Sequence, residues 1–242
     1  MKRAILADVH GNLPALEATL ADAAQQGAEY IAFLGDAVGY GPEPNECVAL
    51  LAESCAVCLM GNHDYAALGS LSIDEFNGYA REAMMMTRQS LTDVTLATLT
   101  GYRQVHVDPP YHMVHSSPDE PLAWNYIVDL RDAMPQFEHF REPFCLVGHS
   151  HKPLVAIRRP SGSFASPECG LLTLEEGYRY LLNVGSVGQP RDGNPDACYL
   201  LLDEEAGTLE IRRVSYPVDR VQAAMEELNM PAFLIERLAV GK

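Results

Sequence analysis

Short, nearly unbroken apolar runs recur along this chain, and each ends abruptly in polar residues. Residues 4–7 run into Asp8 and His10, residues 31–34 into Gly35 and Asp36, and residues 55–60 into Asn62, His63 and Asp64. Met113 and Val114 lead to His115, and residues 144–147 lead to His149 and His151. Apolar runs of this length without polar alternation are the habit of strands buried on both faces. Polar residues at the carboxyl ends of such strands stand where open α/β sheets bind ligands. Asp8 with His10, and His149 with His151, are spaced i, i+2 and share one face if the backbone stays extended. These runs lie far apart in sequence yet all finish in carboxylate, amide or imidazole groups, so their ends are expected to meet at one site.

The segments between the runs predict the rest of the fold. Asn12 can cap a helix with Pro14 in its first turn, and Leu13, Leu16 and Leu20 repeat at helical spacing up to Gly27. Residues 42–53 predict a second helix and residues 56–59 a third strand, an alternation that argues for parallel strands with right-handed crossovers. Residues 64–101 read as helical, with Ser72 and Glu75 at capping-box spacing and Met84, Met85 and Met86 as core filling. Residues 102–130 alternate short strands with turns, and residues 129–140 predict a helix interrupted by Pro135. Strand-like runs follow at 154–158, 178–184, 197–203 and 208–215, so antiparallel pairing is expected in the second half. Residues 218–228 and 231–238 read as two amphipathic helices closing the fold. With no internal repeat, low-complexity segment or linker, residues 1–242 are expected to form one domain. Loops 66–76, 116–125 and 161–171 are expected to shape leaving-group recognition.

Composition narrows the functional classes. Hydrophobic content of 48% and charged content of 21% are ordinary for a soluble globular protein. The net charge of −16 argues against a nonspecific grip on nucleic-acid backbones, which depends on Lys and Arg neutralising phosphates. It leaves a small phosphorylated substrate open, because divalent ions invert the field locally. The apolar run after Lys2 and Arg3 is too short for a signal peptide. No stretch approaches the roughly 18 apolar residues that span a bilayer. A cytoplasmic location is therefore expected, where the six cysteines would be reduced thiols. Cys55 and Cys58 form a CxxC without a second pair, inside an apolar run, and read as buried structural thiols.

The candidate ligands are Asp8, His10, Asp36, Asn62, His115, His149 and His151, a mixed oxygen and nitrogen set without thiolate. It suits Mn, Fe, Co, Ni or Zn better than Ca or Mg. If Asp36 bridges, the set can hold two ions with room for water, the arrangement that activates a bridging water or hydroxide for in-line attack. His63 is left over and is placed to protonate a leaving oxygen as a general acid. Asp64 either steadies His63 or caps the helix that follows. His106, His112 and His139 read as surface or satisfied core residues. Arg191 and Asp192 lie in a Pro/Gly-rich loop, either as a surface turn or at substrate, and Asn183 and Gly185 are expected to shape that loop.

In order, the blocks are DVH at Asp8 to His10, GDAVGYG at Gly35 to Gly41, GNHD at Gly61 to Asp64, VHSS around His115 and GHSH at Gly148 to His151. Together they resemble the calcineurin-like metallophosphoesterase superfamily, and NVGSVGQPRDG from Asn183 to Gly193 is similar to its small bacterial members. The resemblance implies a four-layer α-β-β-α sandwich with two mixed sheets. It implies that Asp8, His10, Asp36 and His151 hold one metal while Asp36, Asn62, His115 and His149 hold the other. His63 would be the proton donor, and water would attack phosphorus directly. Protein serine/threonine phosphatases of the family carry an aspartate and an arginine where this chain has Gly39 and Tyr40, which argues against that activity. Arg191 could replace the missing cation, with Asn12 or Tyr40 adding hydrogen bonds to substrate. The expected function is a dinuclear metal-dependent phosphodiesterase, manganese foremost among its metals, acting on small phosphate esters that include nucleotides. The alternatives are a phosphomonoesterase, a dinucleoside polyphosphate hydrolase or, from another class, a metal-binding scaffold without catalysis.

Overall fold

The computed structural model describes residues 1–74 and 76–242. Two six-stranded mixed sheets lie face to face. In the first, β1 (Lys2–Leu6), β2 (Tyr30–Phe33) and β3 (Val57–Cys58) run parallel, as the alternation with helices predicts. Helices α1 (Leu13–Gln25) and α2 (Pro44–Ser54) connect them. The sheet continues on the other side of β1 with antiparallel β11 (Ala197–Asp203), β12 (Thr208–Val214) and β9 (Leu171–Thr173). The second sheet has the order β4 (Val105–Asp108), β5 (Tyr111–Val114), β6 (Phe144–Val147), β10 (Arg179–Asn183), β7 (Leu154–Arg158) and β8 (Phe164–Ala165).

The apolar runs are unbroken because both faces of the central strands are covered. In β1, Ile5 packs between the sheets with Leu34, Met113, Leu146 and Leu200. Its neighbours Ala4 and Leu6 point the other way, into a layer with Leu16, Val48, Met84 and Leu234. On the outer face of the second sheet, Ala133 and Phe137 pack with Val114, Cys145, Val147 and Leu181. The layers therefore follow in the order helices, sheet, sheet, helix. Burying one such aliphatic side chain contributes about 1.5–3 kcal/mol, so the sheets form a firm base for the loops at the strand ends.

Several sequence expectations change. The segment 64–101 is not one helix: α3 (Asn62–Ala67), α4 (Gly78–Ser90) and α5 (Asp93–Thr100) are separate. Helix α4 begins after Asn77, whose side chain accepts from the Ala80 amide. Ser72 instead hydrogen-bonds Asp74 at 2.8 Å, and Glu75, its expected capping partner, lies outside the described residues. Met84 is fully buried, but Met85, one helical step on, is 51% exposed, so core filling holds for Met84 and not for Met85. Cys55 and Cys58 are free thiols and only half-buried, because β3 lies at the edge of its sheet. Helix α6 (Leu130–Gln136) stops short of residue 140 with Pro135 in its last turn. Strands β8 and β9 fall within the segment read as the loop 161–171 and just beyond it. The last two helices, α7 (Val218–Glu227) and α8 (Ala232–Leu238), lie where expected. Among the described residues, no helix is long and apolar enough to cross a membrane.

Candidate metal centre

The loops after β1, β2 and β6 converge, but not by staying extended. Asp8, His10, Asp36, His149 and His151 all have left-handed backbones, with φ of 55, 49, 62, 67 and 58°. The i, i+2 pairs therefore come together through tight turns, which corrects the extended-chain premise. For a non-glycine residue this region costs roughly 1–2 kcal/mol, and such strain clusters at functional sites. Hydrogen bonds between the loops offset it. The Asp8 amide donates to the Gly35 carbonyl at 2.9 Å and the His10 amide to the Asp36 carbonyl at 3.0 Å. Asp8 Oδ2 accepts from the His149 amide at 2.9 Å, and Asp36 Oδ1 from the His63 amide at 2.8 Å. At Gly35, with φ of 114°, a Cβ would come within 2.6 Å of the Gly61 nitrogen and 2.8 Å of His115 Nδ1, so glycine is needed where these loops cross.

The inner rim of the cluster consists of acceptors. Backbone carbonyls hold Nδ1 of His10 (Val38, 3.0 Å), His115 (Leu34, 3.0 Å) and His151 (Gln189, 2.6 Å). A carbonyl can only accept, so the proton of each neutral ring sits on Nδ1 and Nε2 is left with its lone pair. His149 is reversed: its Nε2 faces the Trp124 carbonyl at 2.9 Å, which frees Nδ1. His10 Nε2 and His151 Nε2 then lie 3.1 Å apart, lone pair facing lone pair. Asp8 Oδ1 is 3.5 Å from His151 Nε2, and Asp36 Oδ2 is 3.6 Å from His10 Nε2 and 3.4 Å from His115 Nε2. Asp8 Oδ1, Asn62 Oδ1 and His115 Nε2 are buried and make no hydrogen bond within the described residues. Converging lone pairs repel unless cations lie among them, so this donor set fits divalent metal ions. The groups able to hold an ion are Asp8, His10 and His151 on one side and Asp36, His115 and His149 on the other. Asp36 also groups with His10 and His63.

The electrostatics of His10, His149 and His151 agree, while Asp8 and His115 are shifted towards their protonated forms in the protein without metal. Burial pushes Asp8 up to about 8, assisted by the charge of Asp36 and opposed by His115. Burial also lowers His10 and His151, and pushes His149 down to about 3, so these rings are neutral at pH 7, the form that ligates metal. His115 differs: burial lowers it, but the Asp36 carboxylate outweighs burial and raises it to about 9.

The residues around the cluster divide into supports and a cleft. Asp64, fully buried, caps α3, as one of its two readings expected, and does more. Its carboxylate accepts from the amides of Asp36 (2.8 Å), Ala37 (2.9 Å), Val38 (3.3 Å) and Gly61 (2.9 Å), tying the loop after β2 to the start of α3. Each of these buried donors would cost about 1–3 kcal/mol if left unpaired, so Asp64→Ala is expected to lose at least ~3 kcal/mol of stability. Urea unfolding checks this, and a loss below about 1 kcal/mol would show that the loop is held by other means. Asn183 shapes its own loop, its Oδ1 accepting from the Gly185 amide at 3.1 Å, and it also ties the GHSH loop, donating to the Gly148 carbonyl at 2.7 Å and to Ser150 Oγ at 2.8 Å. Asn12 is also a support. Its Oδ1 caps α1 through the Ala15 amide and its Nδ2 donates to the Gly188 carbonyl, so each end of the amide holds the fold.

His63 packs against Tyr40, His10 and Phe76, with ring centroids 4.6, 4.8 and 5.1 Å away. Its Nδ1 is buried without a hydrogen-bond partner among the described residues, and a Cβ on Gly39 would run into that nitrogen. The position where protein phosphatases place an aspartate is thus the one that abuts His63, and here it offers no carboxylate. Arg191 sits with its guanidinium 5.6 Å over the Tyr40 ring and its amide on the His151 carbonyl. His106, His112 and His139 lie away from the cluster, against Arg103, Glu142 and Asp119 respectively. An open cleft of about 460 Å³ reaches Asn62, His63 and His149, walled by Tyr40, Phe76, Trp124 and Tyr126. Trp124 and Tyr126 were not foreseen as site residues. Tyr126 stacks on His149 at 4.2 Å, and Trp124 is the one tryptophan of the chain, set in the loop 116–125, a cue present in the sequence.

Residues 1–207 match the model of the calcineurin-like phosphoesterase superfamily domain. The chain is 35% identical over 243 residues to an uncharacterized protein of Methanocaldococcus jannaschii, covering 99% of this chain and 98% of that one. A metallophosphoesterase from Sphaerobacter thermophilus, 41% identical, superposes with a TM-score of 0.87 over 100% of this chain and 99% of that one. A hypothetical protein from Pyrococcus horikoshii, 20% identical, shares the fold with a TM-score of 0.81 over 100% of this chain and 98% of that one. The family match spans the whole donor cluster from Asp8 to His151, and the chain belongs to the calcineurin-like phosphoesterase superfamily.

Proposed function

We propose that this protein hydrolyses small phosphate diesters with the help of two divalent transition-metal ions, manganese foremost. One ion would be held by Asp8, His10, Asp36 and His151, the other by Asp36, Asn62, His115 and His149. The observation that carries this reading is the 3.1 Å approach of His10 Nε2 to His151 Nε2, with both protons fixed on the opposite nitrogens. Ions bound among these donors supply Lewis-acid polarisation of the phosphoryl oxygens and acidify water for in-line attack.

The chain's own residues perform the remaining work. His63 borders the cleft with Nδ1 buried against Gly39, which leaves the Nε2 edge to give a proton to the leaving oxygen. Burial pushes His63 down to about 4, against the pull of Asp36. A phosphate ester anion lying against the ring favours the imidazolium, so substrate itself readies the donor. Arg191 offers positive charge behind Tyr40. No arginine stands in the loop after β2, which suits the one negative charge of a diester better than the dianion of a monoester, and the cleft has room for a second ester arm. The test is hydrolysis of bis-p-nitrophenyl phosphate against p-nitrophenyl phosphate by Mn²⁺-loaded protein. Faster cleavage of the diester is expected, and faster cleavage of the monoester would make this a phosphomonoesterase.

A further inference from the structure

A second cleft of about 630 Å³ lies on the other side of Tyr40 from the catalytic one, and Tyr40 borders both. Its walls include Tyr79, Phe233, Arg191 and Arg237. Phe233 and Arg237 stand on α8, beyond residue 207 where the family match ends. Tyr79, near the start of α4, stacks on Phe233 with centroids 4.7 Å apart, and each is 47% exposed. The Arg237 guanidinium lies 5.2 Å over the Phe233 ring, and its Nε donates to the Lys242 carbonyl. The Arg191 guanidinium is turned towards the same place by Gln189 Oε1, to which its Nη2 donates at 2.8 Å.

Two half-buried guanidinium groups thus border one cleft; among the described residues neither pairs with an aspartate or glutamate, Arg191 being held by Gln189 and Arg237 by the Lys242 oxygen. In a chain with a net charge of −16 acidic side chains are plentiful, yet among the described residues none pairs with either guanidinium, which leaves their edges on the cleft open to an anion. Burial and the charge of Arg191 lower Arg237 to about 10, which still leaves it protonated at neutral pH. Glu82 borders the cleft but is exposed and pairs with neither arginine.

From this geometry, and resting on the phosphoesterase reading above, we infer that Arg191 and Arg237 form a subsite for a second phosphate group of the substrate. The scissile phosphate lies at the metals, and the arm between the two phosphates crosses Tyr40. The substrate class is then a phosphate diester one of whose arms carries a further phosphate, and a nucleotide phosphorylated at both ends of its sugar is its cleavage product. Guanidinium groups recognise phosphate through paired, charge-assisted hydrogen bonds, and Phe233 holds the Arg237 plane while leaving its edge free.

The experiment compares binding of thymidine 3′,5′-bisphosphate and thymidine 5′-phosphate to the metal-loaded protein by calorimetry. The native protein is expected to favour the bisphosphate by about tenfold or more, the scale of one charge-assisted contact. In Arg237→Ala that ratio should fall to about one. In Glu82→Gln, which removes a repelling carboxylate from an exposed position, it should rise. Equal affinities in the native protein, or a preference that survives Arg237→Ala, would overturn the subsite. The binding ratio is read without turnover, so it judges the subsite even if p-nitrophenyl esters are not hydrolysed, an outcome that would instead count against the phosphoesterase reading.

Discussion

His63→Ala is expected to retain its full metal content while slowing hydrolysis of esters with poor leaving groups by about 10²–10⁴-fold, the usual contribution of a general acid. Alkyl esters need a proton on the departing oxygen; p-nitrophenolate does not. The loss on bis-p-nitrophenyl phosphate should therefore be much smaller. Structure supports this separation of roles, because the groups Asp8, His10, His151 and Asp36, His115, His149 are each complete without His63, although its ring also reaches Asp36 and His10. Its backbone amide, which supports Asp36 Oδ1 at 2.8 Å, is untouched by the substitution. Steady-state rates on one alkyl and one aryl diester, with metal analysis of the same samples, check the prediction. Equal losses on both substrates would assign His63 to substrate binding.

Asp36→Asn is expected to empty both metal positions together. Its Oδ2 lies between His10 Nε2 at 3.6 Å and His115 Nε2 at 3.4 Å, one from each ligand group. An amide keeps an acceptor for the His63 backbone but brings no negative charge to balance two dications. Loss of an outer hydrogen-bond partner alone costs about 10–100-fold in metal affinity, so loss of a shared ligand should exceed about 100-fold at each position. Activity should disappear with the metal. Elemental analysis after dialysis reads the result, and retention of one ion per chain would mean that Asp36 does not bridge.

The strand ends were legible because β1, β2 and β6 are buried on both faces, which leaves no polar residue inside the run and makes Asp8, Asp36 and His149 stand out beyond it. The turns that join those residues were not legible, since left-handed φ at Asp8 and His10 is imposed by contacts with distant loops. Asp64 shows the same limit: its position gives the helix cap, which is present, but its further partners at Asp36, Ala37 and Val38 are far away in sequence. The structural bonds of Asn12 were hidden for a related reason, because the groups its amide holds, the Ala15 amide and the Gly188 carbonyl, include one far away in sequence. The division of 64–101 into three helices escaped notice because helical composition continues across the breaks, and only Asn77 and Thr92, each accepting from the amide three residues on, mark the restarts.

The most direct test of the central claim is to strip the protein of metal and follow bis-p-nitrophenyl phosphate hydrolysis while Mn²⁺ is added back in measured equivalents. The account predicts no hydrolysis without metal and a rate that rises until about two equivalents are bound, as a two-ion site requires. Hydrolysis that is indifferent to metal, or complete at one equivalent, would contradict it.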